Sequence, residues 1–247
     1  MSIIVYHFFI LLGRWQRRVV VLGFPKDLKE GFLELFFPGP TCCPLCGELL
    51  IPAEDIPCPS CRRQVLRVAA PLCPRCGKPL AQDGYCPYCY GRNLVFIQAR
   101  AAAIYTGVLR RAIHLFKYKG VRELLSYLGD LLRQCLSEHP PPVPDVIIPV
   151  PLHRRRERER GFNQAALLAA GVGRHLQRPV DYHSLIRRQY TPPTHGLSRR
   201  EREEVMKDAF ICRAGRRLRG KTILLIDDIL TTGATASGCS TALLQGG

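Results

Sequence analysis

From Ala101 onward, apolar positions fall into alternating helical and strand-like runs. Val108, Leu109, Ala112, Ile113 and Phe116 follow helical spacing, as do Leu124, Leu125, Leu128, Leu131 and Leu132. A proline-rich break at 140–144 precedes a short apolar strand, Asp145–Val150. An Arg-rich loop, His153–Arg160, and a helix from about Gln164 to His175 come next. Residues 187–204 are polar and basic around Pro192 and Pro193, and read as a long mobile loop. The strand Thr222–Ile226, a turn and a helix to about Leu244 complete the series. Strand, loop, helix, strand, turn, helix predicts an α/β domain with a mostly parallel sheet flanked by helices, over residues 93–247.

The first 92 residues have a different texture. Residues 1–41 read as an irregular N-terminal extension, with an amphipathic helix around Leu28–Phe37 that Pro38 and Pro40 stop. Residues 42–92 are rich in Pro, Gly and Cys and show little apolar periodicity, so they cannot build a core of their own. Nine of the chain's twelve cysteines lie there, eight of them in four C-x-x-C pairs, with Cys42 beside Cys43 as a substitute ligand that the spacing disfavours. Cys43, Cys46, Cys58 and Cys61 form one set; Cys73, Cys76, Cys86 and Cys89 repeat it. Each turn can present two thiolates to one ion, and two turns complete a closed tetrahedral Zn²⁺ site. Up to two structural zinc ions are therefore expected, supplying folding energy rather than catalysis. Redox-active dithiols are the competing reading. Cys135, Cys212 and Cys239 are isolated and read as packing residues.

Composition narrows the class. An apolar content of 47% with 23% charged residues describes a folded globular chain, not a disordered or fibrous one. Lys and Arg outnumber Asp and Glu by 36 to 20, a formal charge of +16, which favours anionic partners. The Met1–Leu12 stretch is apolar but lacks a basic n-region and a cleavage site, and it is short of a membrane span of roughly 20 residues. A cytoplasmic protein with reduced thiols and no integral membrane span is the expectation.

The densest chemistry lies at Ile223–Thr235, ILLIDDILTTGAT. Four consecutive aliphatics suit a strand buried on both faces. Asp227 and Asp228 emerge at its carboxyl end, the edge where open α/β sheets place ligands. Thr231, Thr232, Gly233, Ala234 and Thr235 then lead into a helix, whose backbone N–H groups and hydroxyls would cradle a phosphate. Two acids would repel a bare phosphate but can accept hydrogen bonds from a vicinal diol, so a sugar phosphate is indicated. The bland alternative is a strand–turn–helix that the two acids merely cap.

The Ile223–Thr235 stretch resembles the diphosphate-ribose (PRPP) signature of type I phosphoribosyltransferases. Together with Pro149–Gln164 (PVPLHRRRERERGFNQ), Leu115–Gly120 (LFKYKG) and Thr191–Arg202 (TPPTHGLSRRER), it resembles the ComF competence family over roughly residues 36–245. That resemblance implies a double zinc ribbon before a phosphoribosyltransferase-like domain, with the sheet's C-terminal strand or strands missing at Gly247. It implies that Asp227 and Asp228 hold ribose hydroxyls, Thr231–Thr235 hold the 5-phosphate, and Arg154, Arg155 and Arg160 face pyrophosphate. A glycosyltransferase acting on PRPP with Mg²⁺ would follow, with Asp227, Asp228 and Arg160 as its catalytic residues. So would a link to DNA uptake, with single-stranded DNA and a competence helicase or other uptake machinery as partners. Two alternatives stand beside this. The Arg run could be a solvated helix face, and residues 150–202, with twelve Arg against four acids, could form a groove for single-stranded nucleic acid.

Overall fold

The computed structural model describes residues 2–7, 42–50, 56–92, 94–190 and 198–246. The helix expected around Leu28–Phe37, and Pro192, Pro193 and His195, lie outside them.

The cysteine segment holds two knuckles of the same design. In the first, Cys43 N–H donates to Glu48 O and Gly47 N–H to Cys43 O, both at 2.8 Å. In the second, Cys73 N–H donates to Lys78 O at 2.8 Å and Gly77 N–H to Cys73 O at 2.9 Å. Gly47 and Gly77 close these turns at φ +81° and +69°, a conformation that costs glycine little. A short helix α1, Pro59–Arg63, carries the second pair of the first site, with the Cys58 thiol accepting from Cys61 N–H.

A four-stranded sheet in the order β2–β1–β6–β3 forms the centre, all strands parallel: β1 Ser2–His7, β2 Gln98–Ala101, β3 Val146–Pro149 and β6 Thr222–Asp227. Strand β1 differs from the irregular extension expected over residues 1–41. It pairs with β6 from Ser2↔Thr222 to His7↔Asp227 and so makes β6 an interior strand.

Successive side chains along β3 and β6 face opposite sides of the sheet, as the period of two requires, and both sides are buried. Ile147, Leu224 and Ile226 face one core with helices α2 (Gly107–Tyr118), α3 (Leu124–Glu138) and α5 (Gln164–Leu176). Val146, Ile148, Ile223 and Leu225 face the other core. That second core holds α6 (Arg199–Lys207), α7 (Ala234–Gly246) and a two-stranded antiparallel sheet of β4 (Leu185–Arg187) with β5 (Phe210–Cys212). Each of the four β6 aliphatics is fully enclosed, worth roughly 1.5–3 kcal/mol apiece. Helix α7 is lined with small residues, and at Gly238 a Cβ would stand 2.4 Å from the Met206 carbonyl of α6. The two helices therefore touch backbone to backbone.

Two expected loops contain helices. Arg154–Arg160 is helix α4, capped by His153, whose Nδ1 accepts from Arg155 N–H at 3.2 Å, and ended by Gly161 at φ +81°. The later half of 187–204 is α6. Ser198 and Glu201 cap it reciprocally, a capping box that satisfies two otherwise orphaned N–H groups. Cys135 and Cys239 are buried, as packing residues should be.

Candidate functional site

In a tetrahedral zinc–thiolate site with bonds of about 2.3 Å, neighbouring sulfurs stand about 3.8 Å apart. The Sγ atoms of Cys43 and Cys61 are 3.9 Å apart, those of Cys46 and Cys58 3.6 Å, and those of Cys76 and Cys86 3.7 Å. A disulfide would need about 2.05 Å. In each tetrad all four sulfurs lie within 4.8 Å of one another. The donor set and its spacing fit one Zn²⁺ per tetrad. Burial opposes the Cys43 thiolate, but backbone N–H groups of Cys58, Leu45 and Cys46 outweigh it and bring the thiol down to about 7. Cys73 is lowered to about 7 in the same way, against burial, by the N–H groups of Cys76, Cys86 and Arg75. Burial raises Cys61 and Cys89, and pushes Cys76 up to about 12. Shedding all of these protons together is what a metal ion makes favourable.

The two tetrads have different neighbours. Cys43, Cys58 and Cys61 belong to the core of α2 and α3, and Arg111 of α2 donates to Leu45 O. The second tetrad is tied to β2, where Ala99 N–H donates to Arg75 O at 2.7 Å, and a Cβ on Gly77 would lie 2.6 Å from Ala99 O. Tyr88 of this second knuckle also donates to Glu203 of α6 at 2.5 Å. Between the knuckle and the segment Leu230–Gly233 lies a mainly apolar cavity of about 130 Å³, walled by Val68, Leu94 and Phe96.

At the carboxyl ends of β3 and β6 opens a larger cleft of about 590 Å³. Asp227 and Asp228 form its floor and Thr231 and Thr235 one edge. Arg110, His114 and Lys117 of α2, Arg156 and Arg160 of α4, Gln164 of α5 and Arg187 of β4 also line it. Lys117 Nζ lies 2.7 Å from Asp228 Oδ2, with both side chains largely buried. Burial, reinforced by the charge of Asp228 and opposed by Lys117, pushes Asp227 up to about 8. Asp227 therefore holds its proton well above the ordinary carboxyl range, while Asp228 is paired with Lys117. Burial, with the charge of Arg156, lowers Arg187. Tyr118 and Tyr190 flank the mouth, with the guanidinium of Arg160 5.0 Å from the Tyr118 ring centre and that of Arg155 4.8 Å from that of Tyr190.

A family model described as double zinc ribbon domain matches residues 32–90. Competence protein ComFC of Bacillus subtilis is 31% identical over 81% of this chain and 82% of its own. DNA utilization protein YhgH of Escherichia coli K12 is 32% identical, over 84% of this chain and 92% of its own. The chain belongs to the ComF family. Competence protein F of Haemophilus influenzae, 29% identical over 81% of this chain, is a further relative. No solved structure matches the chain.

This ComF-family chain brings Asp227, Asp228, Arg160, Thr231 and Thr235 to one cleft. Thr232 and Gly233 line the cavity on the zinc side instead, with Thr231 shared between the two, and Ala234 is buried at the start of α7. Arg154 and Arg155 do not line the cleft. Arg155 is exposed and pairs with Glu159 at 2.9 Å along α4, which matches the solvated helix face weighed for the Arg run. The basic groups that do face the cleft include Arg156, Arg110 and Arg187, none of which the sequence reading singled out. Arg110, His114 and Lys117 recur at i, i+4 and i+7, the polar complement of α2's apolar face. That stripe was the available signal. Among the described residues no helix is long and apolar enough to cross a membrane.

Proposed function

We propose that this cleft binds phosphorylated ribose, as PRPP or ribose 5-phosphate, on a domain of the type I phosphoribosyltransferase kind, in the service of DNA uptake. One observation carries the reading: two adjacent acids at the end of β6 share a 590 Å³ cleft with threonines at a helix start and with a wall of cations. The volume suits a ligand of that size. The strand end is where open parallel sheets place ligands. The names of the ComFC and YhgH relatives support a role in competence or DNA utilization.

In this reading Asp228, released from Lys117, accepts from a ribose hydroxyl, and Asp227 holds its neighbour in place by accepting from the Asp228 N–H, 2.8 Å from Asp227 Oδ1. Arg156, Arg160 and Lys117 neutralise the diphosphate and stabilise it as it leaves C1, which is the electrostatic share of the chemistry. Only the two cysteine tetrads, among the described residues, gather three or more metal-ligating side chains. The acids do not form a Mg²⁺ cage, so no step is assigned to a protein-held magnesium.

A second reading is a groove for single-stranded nucleic acid, supported by the arginines and by Tyr118 and Tyr190 at the mouth. It has little use for Asp227 and Asp228. Isothermal titration of PRPP with Mg²⁺ into wild type and the Asp227→Asn/Asp228→Asn double variant separates the two. Saturable binding lost in the double variant supports the sugar-phosphate site. Absence of binding to zinc-loaded wild type, with salt-sensitive binding of an oligonucleotide, would favour the groove.

A further inference from the structure

Gln164 stands at the first turn of α5, only 4% exposed, on the wall of the cleft. Its Oε1 is buried and has no hydrogen-bond partner. The neighbouring Asn163 is fully employed: its Nδ2 donates to Val150 O at 3.1 Å and its Oδ1 accepts from Ala165 N–H at 3.0 Å. A buried amide oxygen left unpaired costs free energy, and folded proteins keep few of them. The helix does not need Gln164 as a cap, since Asn163 already serves. Packing alone would be met as well by Leu. The terminal torsion of a glutamine is soft, so the oxygen can turn onto the cleft wall.

The chemistry of the wall says what it would meet. Arg110, Lys117, Arg156, Arg160 and Arg187 have only protons to give. Phosphate and pyrophosphate oxygens suit them and have no use for an amide acceptor. Asp228 Oδ2 is committed to the Lys117 ammonium, 2.7 Å away. Arg160, four residues before Gln164, also has a buried Nη1 without a partner. A group that both gives and takes a hydrogen bond suits a wall that sets one acceptor among donors, and a sugar hydroxyl is such a group.

Resting on the sugar-phosphate reading, we infer that Gln164 is a ligand-contacting specificity residue whose Oε1 accepts from a hydroxyl of the sugar, so that the cleft selects a sugar phosphate over bare phosphate. The unsatisfied oxygen is the cost of a site kept ready. This predicts opposite signs for affinity and stability on removing the amide.

The test titrates ribose 5-phosphate and, separately, inorganic phosphate into wild type and Gln164→Leu, and records the ligand-free Tm of each. Expected are a loss of roughly tenfold for ribose 5-phosphate, phosphate affinity unchanged, and a Tm equal to or above wild type. Gln164→Met, unbranched and of similar length, repeats the measurement if Leu packs badly. Equal ribose 5-phosphate affinity in wild type and variants overturns the inference alone. So does a parallel loss of phosphate binding, or a lowered Tm in both variants, which would make Gln164 structural. A wild type that does not bind ribose 5-phosphate overturns the reading beneath it.

Discussion

Asp227 offers a sharp test of the site's electrostatics. Its carboxyl is buried beside Asp228, which pushes it up from the ordinary 3.8 to about 8. Between those two values the folded protein keeps a proton that the unfolded chain has released, so stability falls as pH rises. The linkage slope is about 1.4 kcal/mol for each pH unit inside the window. From pH 5 to pH 7 that amounts to about 3 kcal/mol, or roughly 6–12 °C in Tm for a chain of this size. Asp227→Asn keeps the shape and an oxygen to accept the Asp228 N–H, but has no proton to lose. Thermal melts of both proteins from pH 4 to pH 9, in one ionic strength, isolate the contribution as their difference. The variant should match wild type at pH 4, gain on it steadily, and level off above about pH 8. Taking the difference matters, because other carboxylates and thiols titrate in both proteins. A difference that stays flat with pH, or that favours wild type more strongly at pH 8 than at pH 5, would refute the reasoning.

Four further outcomes follow from the packing and the cleft. Arg155→Ala should leave the thermal melt unmoved, since its pair with Glu159 is exposed and screened by solvent. Arg156→Ala should lower PRPP affinity in the same titration while the melt stays unmoved. Gly238→Ala should lower the urea midpoint by roughly 1–3 kcal/mol equivalent, because the clash with the Met206 carbonyl exceeds the gain of about 1 kcal/mol in helix propensity. An unchanged midpoint would show that α6 yields easily. Cys43→Ser and Cys73→Ser should each halve the zinc measured by atomic absorption, but only the first should loosen the α2–α3 layer in hydrogen exchange.

Much of this was legible in the chain. The spacing of Val108 to Phe116 and of Leu124 to Leu132 located α2 and α3, four aliphatics in a row located β6, and C-x-x-C spacing assembled both tetrads. These are local patterns, and burial enforces them. What escaped was decided elsewhere. Strand β1 gains its pairing from residues 222–227, at the other end of the chain. Helix α4 reads as a loop when its arginines are assigned to a ligand, although Glu159 four residues after Arg155 pointed to a helix. Arg187 enters the cleft only because the β4–β5 sheet packs beneath α7, a contact that no local window contains. The Ser198–Glu201 capping box was readable and was masked by the weight given to Pro192 and Pro193.

The placement of the second knuckle apportions the metal between two duties. An ion on the first tetrad would belong to the architecture, seated among the residues that hold α2 to α3. One on the second would sit behind Leu230–Gly233, sharing a wall with the loop that is proposed to receive the phosphate. Coupling between two sites is reciprocal: what metal contributes to the ligand's affinity, the ligand returns to the metal. Occupancy of the cleft should therefore slow the escape of zinc from Cys73–Cys89 to a competing chelator and leave Cys43–Cys61 indifferent. Under zinc scarcity such a protein would surrender its idle copies first and keep those at work.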